Sequence, residues 1–324
     1  MIPIPRALAA AVCLAAHALA TPAAPPFPTK PVRIIVPFAP GGPTDIVART
    51  VGQQLTLALG QPVVVDNRPG AGGVVGADLA AKSAADGYTL LLCSTGAMAI
   101  NPGLLASMPY DPVRDLAPIT LVVTIPYLLL VNPAYPAQSV KELLALARAR
   151  PGQLNYGSAG TGTTSHLAME LFRSMAGIQV THVPYKGSAP AATDLVGGQL
   201  QLLFDAPPSS LPFVRSGRLR ALGISTLRRT PLLPDMPTIH EAGVPGYEVL
   251  TWSGICAPAG TPKAVVARLN EAIVQGVTSR ETRDRFAAIG ADVVANSSEE
   301  YRKFILAELA KWSRVIREAG VVAH

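Results

Sequence analysis

The hydrophobic positions of the chain alternate between the spacing of strands and the spacing of helices. Val32–Val36 is a short run in which four of the five residues are β-branched, which predicts a buried strand. Apolar residues then recur at the spacing of one helix face, at Val47, Val51, Leu55 and Leu59. The loop between them, residues 37–45, contains two glycines and ends on Thr44 and Asp45. The pattern therefore predicts a strand, a glycine loop and a helix in succession.

The same succession returns in the second half of the chain. Leu154–Tyr156 predicts a short strand, residues 157–163 form a glycine-rich loop, and a helix carries Leu167, Leu171 and Met175. Around both units strands alternate with helices, which favours parallel sheets covered by helices. Apolar stretches at 119–131, broken at Pro126, and at 247–257 are predicted to cross between two lobes. We therefore expect an α/β protein whose lobe 1 comprises residues 28–126 with 254–324 and whose lobe 2 comprises residues 127–253.

The first twenty residues have the features of a secretory signal peptide. Arg6 supplies a positive start, residues 7–16 are apolar, and Ala18-Leu19-Ala20 fits a cleavage site. We therefore expect export to the periplasm and cleavage after Ala20. The apolar run is too short for a membrane span.

Charge and cysteine content narrow the class of ligand. The formal net charge is +6, but there is no block rich in lysine and arginine, and aromatic residues are only 5%. This pattern argues against a nucleic-acid interface and fits a small anionic ligand, although solubility alone would also explain it. Cys93 and Cys256 lie in apolar strand-like runs without zinc-ligand spacing. Two buried thiols are favoured over a disulfide.

The paired glycine loops are the strongest candidates for binding chemistry. Glycine allows backbone N–H groups to approach a ligand, and a helix N-terminus offers unpaired donors and partial positive charge. Ligands of open parallel sheets lie beyond the carboxyl ends of the strands, so both loops would face one cleft. The alternative is that each loop is an ordinary turn, the first one capped by Thr44 or Asp45.

Individual polar side chains leave more than one role open. Asp45 is favoured as a helix cap over a ligand contact, because a carboxylate repels an anion. Asp205 ends an apolar strand and is either a ligand contact or a brace for a neighbouring loop. Lys186 would attract an anion or simply be solvated. His166, in the first turn of a helix, is favoured as a structural residue over one that orients the loop or contacts the ligand.

Motifs of several enzyme classes are missing from the sequence. Residues 157–162 do not form the G-x-S-x-G turn of a nucleophile elbow, and neither glycine loop has Rossmann or Walker spacing. The histidines show no metal-ligand spacing with a carboxylate. We therefore predict a protein that is not an enzyme and uses neither a cofactor nor a metal.

A series of short motifs, in order along the mature chain, resembles the Bug family, the TctC-like extracytoplasmic solute receptors of tripartite tricarboxylate transporters. The motifs are residues 37–45 (PFAPGGPTD), 67–73 (NRPGAGG), 86–90 (DGYTL), 109–112 (PYDP), 156–160 (YGSAG), 184–187 (PYKG), 197–199 (GGQ), 233–238 (LPDMPT) and 257–262 (APAGTP).

The resemblance implies a fold, a ligand and a partner. The fold is a Venus flytrap similar to type II periplasmic binding proteins, with two hinged lobes. The ligand is a small carboxylate, such as a dicarboxylate, tricarboxylate, acidic amino acid or aromatic acid, and the partner is the set of permease subunits of the transporter. A monomer is expected. By position, the resemblance implies these ligand-binding residues: Phe38, Ala39, Gly41, Gly42, Thr44, Asp45, Ser94, Thr95, Ala97, Ser158, Gly160, Thr161, Thr163, Tyr185 and Asp205.

Two other classes of function would be compatible with the same cleft. A sensory module would present its ligand state to a membrane sensor kinase instead of a permease. An exported hydrolase would need a paired nucleophile and base, for which the sequence has no motif.

Overall fold

The computed structural model describes residues 27–185, 187–231 and 233–321; the predicted signal peptide and Lys186 lie outside these ranges. The strands are β1 (Val32–Val36), β2 (Val63–Asn67), β3 (Thr89–Ser94), β4 (Leu116–Pro126), β5 (Leu128–Val131), β6 (Asn155–Ser158), β7 (Thr181–Pro184), β8 (Leu202–Asp205), β9 (Arg220–Ile224), β10 (Leu250–Pro258) and β11 (Asp292–Val293). The helices are α1 (Pro43–Leu59), α2 (Val74–Ala81), α3 (Asn101–Leu104), α4 (Val140–Ala149), α5 (Thr164–Ala176), α6 (Ser188–Val196), α7 (Pro207–Arg215), α8 (Lys263–Val277), α9 (Arg280–Ala288) and α10 (Ser298–Ala319).

The sheet of lobe 1 has six strands in the order β11-β4-β10-β3-β1-β2. β1 pairs in parallel with β2 and β3, whereas β10 runs antiparallel to β3 and β4. Side chains alternate between its two faces, so Ile34 and Ile35 enter different apolar clusters. The Ile34 cluster includes α1 and α8, and the Ile35 cluster includes α2 and α10. Helices therefore cover both faces, as the strand sequences predict.

The sheet of lobe 2 has five strands in the order β7-β6-β8-β5-β9. β6 is parallel to β7 and β8, and β5 is antiparallel to β8 and β9. Phe204 packs against Phe172 of α5 on one face, while Leu203 packs with α6 and α7 on the other. Two sheets flanked by helices confirm the predicted α/β architecture.

The chain passes between the sheets twice, and Ser225 ties the two passages together. β4 ends at Pro126 and the next strand, in the other sheet, begins at Leu128. Ser225 accepts the Tyr127 N–H on its side chain (2.8 Å) and donates its own N–H to the Tyr127 carbonyl (2.9 Å). The Ser225 carbonyl accepts the Val249 N–H at 3.0 Å, just before β10. This pair of passages is the position expected of a hinge.

Residues buried in the lobe 1 sheet confirm the predicted state of the cysteines. Within the described chain, Cys93 on β3 and Cys256 on β10 are both buried free thiols. Burial and the neighbouring Cys93 raise the pKa of the Cys256 thiol well above its usual value. Among the helices of the described ranges, none combines the length and apolar character that a membrane span requires.

Candidate functional site

A cleft of about 610 Å³ lies between the two lobes. This volume falls within the range of small-molecule pockets, roughly 300–1,000 Å³. Both lobes and both passages between them contribute to its lining: Phe38, Pro43, Thr44, Ala71, Gly72, Ser94, Gly96, Ile100, Asn101, Leu104, Leu105, Ile125, Tyr127, Thr161, Gly162, Thr163, Thr164, Ala206, Pro208, Thr251, Trp252 and Ser253. None of these described lining residues carries a charged side chain.

One wall of the cleft is the segment that joins β1 to the first turn of α1, residues 37–45, here called the lobe 1 loop. α1 begins at Pro43, whose fixed φ suits the first helical position, and Gly42 is the N-cap. Gly41 has φ +88°, a conformation that favours glycine. The expectation that Thr44 or Asp45 caps the helix is wrong, because Pro43 starts the helix before them. Thr44 instead lines the cleft at the helix N-terminus, where unpaired N–H groups favour an anion.

Asp45 holds the lobe 1 loop in place from behind. Its side chain is only 3% exposed. One carboxylate oxygen accepts the Gly41 N–H at 3.0 Å and Arg49 Nε at 2.8 Å, and the other accepts Asn67 Nδ2 at 3.0 Å. Burial alone would raise the pKa of Asp45, but these hydrogen bonds outweigh burial and lower it below its usual value. Asp45 is therefore an ionised brace.

The opposite wall is the segment from the last residue of β6 to the start of α5, residues 158–163, here called the lobe 2 loop. Thr163 is the N-cap of α5 and accepts the His166 N–H on its hydroxyl. The same hydroxyl donates to the Gly160 carbonyl at 2.7 Å. Gly160 and Gly162 have φ +134° and +76°. The loop therefore turns sharply and brings a second helix N-terminus to the cleft.

Two stacked imidazole rings support the lobe 2 loop. His166 Nδ1 accepts the Gly162 N–H at 3.1 Å, and His182 Nε2 lies 2.7 Å from Ser158 Oγ. The ring centroids are 3.9 Å apart with an interplanar angle of 11°. His166 must be unprotonated at Nδ1 to accept the Gly162 N–H. The structure thus combines two of the roles considered for His166, since it is structural and also orients the loop.

The environment of the imidazole pair keeps both rings neutral. Burial and then the Arg173 charge lower the pKa of His166 to about 4. Burial and then His166 lower the pKa of His182 to about 4, against an opposing effect of Glu170. Tyr156 stacks on the rings and donates to Glu170 Oε1 at 2.6 Å, and Glu170 also accepts Arg173 Nε at 2.5 Å. Glu170 is thereby already engaged by two donors.

Ser158 and His182 form a nucleophile–base contact that the sequence did not predict. Their distance of 2.7 Å would suit a catalytic pair. Ser158, however, is 0% exposed, and its hydroxyl also bonds the N–H and carbonyl of Gly160, each at 3.1 Å. A substrate carbonyl has no access to this oxygen. The contact fixes the loop and gives no support for a hydrolase.

A third segment, at the end of β3, joins the cleft to β10. Ser94 lines the cleft, and Thr95 Oγ1 accepts the Trp252 N–H at 2.9 Å. The Ala97 carbonyl accepts the Tyr110 hydroxyl at 2.6 Å. Thr95 and Ala97 are buried, so their contacts in the structure are with the protein itself.

Tyr185 and Asp205 are not among the described residues that line the cleft. The Tyr185 hydroxyl donates to Asp194 at 2.6 Å, and burial together with that bond raises the pKa of Tyr185 to about 12. Asp205 is 1% exposed and accepts the Ser209 hydroxyl at 2.6 Å. Burial raises the pKa of Asp205, although bonds from Ser209, Ser188 and the Ala206 N–H oppose this. Between the two roles considered for Asp205, these contacts favour the brace.

The fifteen sequence-predicted residues thus fall into two groups. Phe38, Thr44, Ser94, Thr161 and Thr163 line the cleft. The other ten lie next to it or support its loops, and are Ala39, Gly41, Gly42, Asp45, Thr95, Ala97, Ser158, Gly160, Tyr185 and Asp205. Ligand contact stays a prediction for all fifteen, and the buried members of the second group shape the site through the loops that they support.

Several cleft residues were missed by the sequence analysis. Tyr127 and Trp252 come from the passages between lobes, and Leu104 from α3. The motif at residues 67–73 was a usable signal, because Ala71 and Gly72 of this motif line the cleft. In the structure Ala71 has φ +46°, which is uncommon outside glycine. Across the described ranges, no group of histidine, cysteine and acidic residues could hold a metal ion.

Comparison with known proteins identifies the family. The model of the tripartite tricarboxylate transporter family receptor matches residues 47–321. This chain belongs to that family. Protein BugT of Bordetella pertussis is 42% identical over 295 residues, which cover 91% of this chain and 90% of BugT. The predicted resemblance is confirmed, and the family is one of periplasmic solute-binding receptors.

Two solved structures with ligands share the fold of this family receptor. The structure of Rpa4515 from R. palustris with adipate has a TM-score of 0.79 and 40% identity, and covers 91% of this chain and 99% of that one. The structure of MatC from Rhodopseudomonas palustris with bound malate has a TM-score of 0.75 and 34% identity, and covers 90% and 100%. The predicted two-lobed binding-protein fold is therefore confirmed.

Proposed function

We propose that this receptor captures a small carboxylate in the cleft between its lobes and delivers it to the permease subunits of a tripartite tricarboxylate transporter. The observation that carries the proposal is the convergence of two helix N-termini, at Thr44 of α1 and Thr164 of α5, on one cleft. Helix N-termini stabilise a carboxylate by backbone donors and partial charge, without a fixed cation. The relatives solved with adipate and malate support a carboxylate ligand.

Closure of the cleft is the step that would signal a bound ligand. A ligand that contacts both lobes favours the closed state by its extra contacts there, and the passages at Tyr127 and Val249 provide the hinge. We propose that the closed monomer, in the periplasm after cleavage behind Ala20, is the form recognised by the permease. The lobe division at residues 126/127 and 253/254 belongs to this proposal; in the structure, residues 250–253 pair with β4 of the first sheet.

We also propose that the protein has no catalytic activity of its own. Ser158 is sealed from solvent, and the described lining residues include no histidine, aspartate or glutamate to act as a general base. A ligand that is bound and released unchanged is what transport requires.

The test is titration calorimetry of the exported protein against a panel of small carboxylates. Thr44→Val and Thr161→Val each remove one hydroxyl, from lobe 1 and lobe 2, and each should weaken binding about tenfold, the value of roughly one good hydrogen bond to a charged group. Thr193→Val is the matched control, because Thr193 is an exposed residue of α6 that bonds the Ala189 carbonyl. Its affinity should equal that of the unaltered protein.

Two outcomes would contradict the proposal. Chemical turnover of the bound carboxylate, lost on Ser158→Ala, would favour the hydrolase. Growth on the bound carboxylate that is unchanged after deletion of the receptor would remove the transport role and leave the sensor-kinase alternative.

A further inference from the structure

The chain contains two tryptophans, and both are bonded to the same carboxylate. Glu308 of α10 accepts the indole N–H of Trp252 and the indole N–H of Trp312 on its Oε2 atom, each at 3.0 Å. An indole N–H can only donate, so a buried tryptophan needs an acceptor of this kind. Glu308 is 6% exposed, and its other oxygen pairs with Lys311. The Glu308 carboxylate therefore joins β10 to α10 through buried hydrogen bonds.

Trp252 supports one wall of the cleft from behind. The residues on either side of it in β10, Thr251 and Ser253, line the cleft. The indole of Trp252 lies against α10, where the rings of Tyr301 and Phe304 pack edge-on at centroid distances of 5.9 and 5.4 Å. A displacement of this indole would therefore move the two hydroxyl groups that flank it in the cleft wall.

The backbone of Trp252 is fixed as well as its side chain. Thr95 Oγ1 accepts the Trp252 N–H at 2.9 Å and lies 3.3 Å from Thr251 Oγ1. Thr95 belongs to the segment at the end of β3, in which Ser94 and Gly96 line the cleft. The position of Trp252 thus affects two segments of the cleft lining.

The helix that carries Glu308 also reaches the other lobe. Val315 of α10 and Leu171 of α5 belong to one buried apolar cluster, and a cavity of about 140 Å³ lies between the two helices. α5 begins beside the cleft, at Thr164. A movement of lobe 2 must therefore shift α5 against α10 or carry α10 with it. Because Glu308 fastens α10 to Trp252, we expect the shift to occur at the contact between α5 and α10.

We propose that Glu308 is a positioning residue of the cleft. It fixes Trp252, and with it the hydroxyl groups of Thr251 and Ser253, and it fastens α10 to the passage that leads into β10. Glu308 is not among the described residues that line the cleft, so it acts on a ligand through Trp252. This inference rests on the proposed receptor function and adds to it a residue that the family motifs do not include.

Indole N–H resonances test the role of Glu308 in the ligand-free protein. Protein with isotopically labelled tryptophan should show two such signals, which Trp252→Phe and Trp312→Phe assign. Glu308→Leu should shift both signals and speed their exchange with water. Glu308→Gln should keep both near their original positions, because its amide oxygen can accept both donors. A folded Glu308→Leu variant in which neither signal shifts would overturn the proposal.

Ligand affinity tests whether this position matters to the cleft. Calorimetry with the carboxylate that the unaltered protein binds most tightly should show about tenfold weaker binding by Glu308→Leu, because two buried donors lose their acceptor and β10 can shift. Glu308→Gln should recover most of the affinity. Glu299→Leu is the matched control, because it removes an exposed Glu–Lys pair from the same helix, and its affinity and indole signals should be unchanged. Unchanged affinity of a folded Glu308→Leu variant would overturn the proposal and leave the receptor function intact.

Trp252→Phe provides a second test if Glu308→Leu does not fold. It removes the donor on β10, while Glu308 keeps its bonds to Trp312 and Lys311. Binding should weaken by a similar factor, and unchanged affinity would overturn the proposal.

The response of the two indole signals to ligand tests the link to α10. Ligand should shift the signal of Trp252 and also that of Trp312, which is not among the described residues that line the cleft. A response confined to Trp252 would overturn the link. If no carboxylate binds to the unaltered protein, the proposed function is wrong, and the signals of the ligand-free protein still decide whether Glu308 positions Trp252.

Discussion

The two cleft loops perform the same task with opposite chemistry. The lobe 1 loop is held by an ionised carboxylate, Asp45, which gathers donors from Gly41, Arg49 and Asn67. The lobe 2 loop is held by the neutral imidazoles of His166 and His182. Each brace holds a helix N-terminus at the cleft, and neither brace adds a charged side chain to the described lining. The difference shows that a backbone anion site can be supported from behind by either an anion or a neutral acceptor.

Acidification should produce the largest difference in stability between the two loops. The imidazole pKa values fall from 6.5 to about 4 on folding, so the neutral rings stabilise the fold fully above pH 6.5 and this stabilisation is lost as pH falls toward 4. The lowered pKa of Asp45 means that its contribution is lost only below its usual value of 3.8. As pH falls, the lobe 2 loop should therefore lose its support before the lobe 1 loop does.

Urea unfolding at pH 7.5, 5.5 and 4.5 measures this difference. The double variant His166→Asn with His182→Gln removes the titrating rings, which face Tyr156, Glu170 and Arg173 in the folded protein. Its free energy of unfolding should decrease less steeply with acid than that of the unaltered protein. Parallel pH profiles would mean that other groups control acid stability.

Removal of the Asp45 carboxylate should have the next largest effect. Asp45→Ala leaves the Gly41 N–H and the Asn67 amide without this acceptor, and each hydrogen bond to a charged group contributes about 1.5–3 kcal/mol. We expect a loss of about 3 kcal/mol in unfolding free energy and at least tenfold weaker ligand binding. Arg49→Met is the matched control, because the Arg49 side chain is 55% exposed and solvent screens its ion pair, so its loss should matter less than the loss of the buried carboxylate. Equal effects of the two variants would contradict the brace assigned to Asp45.

Substitution of His166 should have a smaller effect that depends on one atom. His166→Leu leaves the buried Gly162 N–H without an acceptor, at a cost of about 1–3 kcal/mol. His166→Asn can place its amide oxygen near the position of Nδ1 and should recover most of the loss. Denaturant midpoints and ligand affinities of the two variants provide the measurement. Identical behaviour of Leu and Asn would show that ring packing, and not the hydrogen bond, supports the loop.

The lobe architecture and the two cleft loops could be predicted from sequence because their signals are local. Apolar spacing defines β1 and α1, and glycines before a helix start identify a backbone site. The helix start itself was misplaced by a few residues, since Pro43 was not weighed as a first helical residue. The family resemblance also named Phe38, Thr44 and Thr161, which line the cleft in the structure.

The cleft residues at the passages between the lobes and the imidazole pair depend on tertiary contacts and could not be predicted in this way. His166 and His182 lie on different elements, and only the packing of α5 against the β6–β7 pair brings their rings together. Trp252 and Ile125 line the cleft because β10 pairs with β4 at the passage between lobes. No periodicity distinguishes these side chains from ordinary core residues.

The most direct test of the carboxylate site is a crystal structure of the protein with the carboxylate that binds most tightly. A carboxylate oxygen should lie within hydrogen-bond distance of the N-termini of α1 and α5, at Thr44 and Thr164. A ligand bound outside the cleft, or one whose carboxylate contacts neither helix N-terminus, would contradict this expectation.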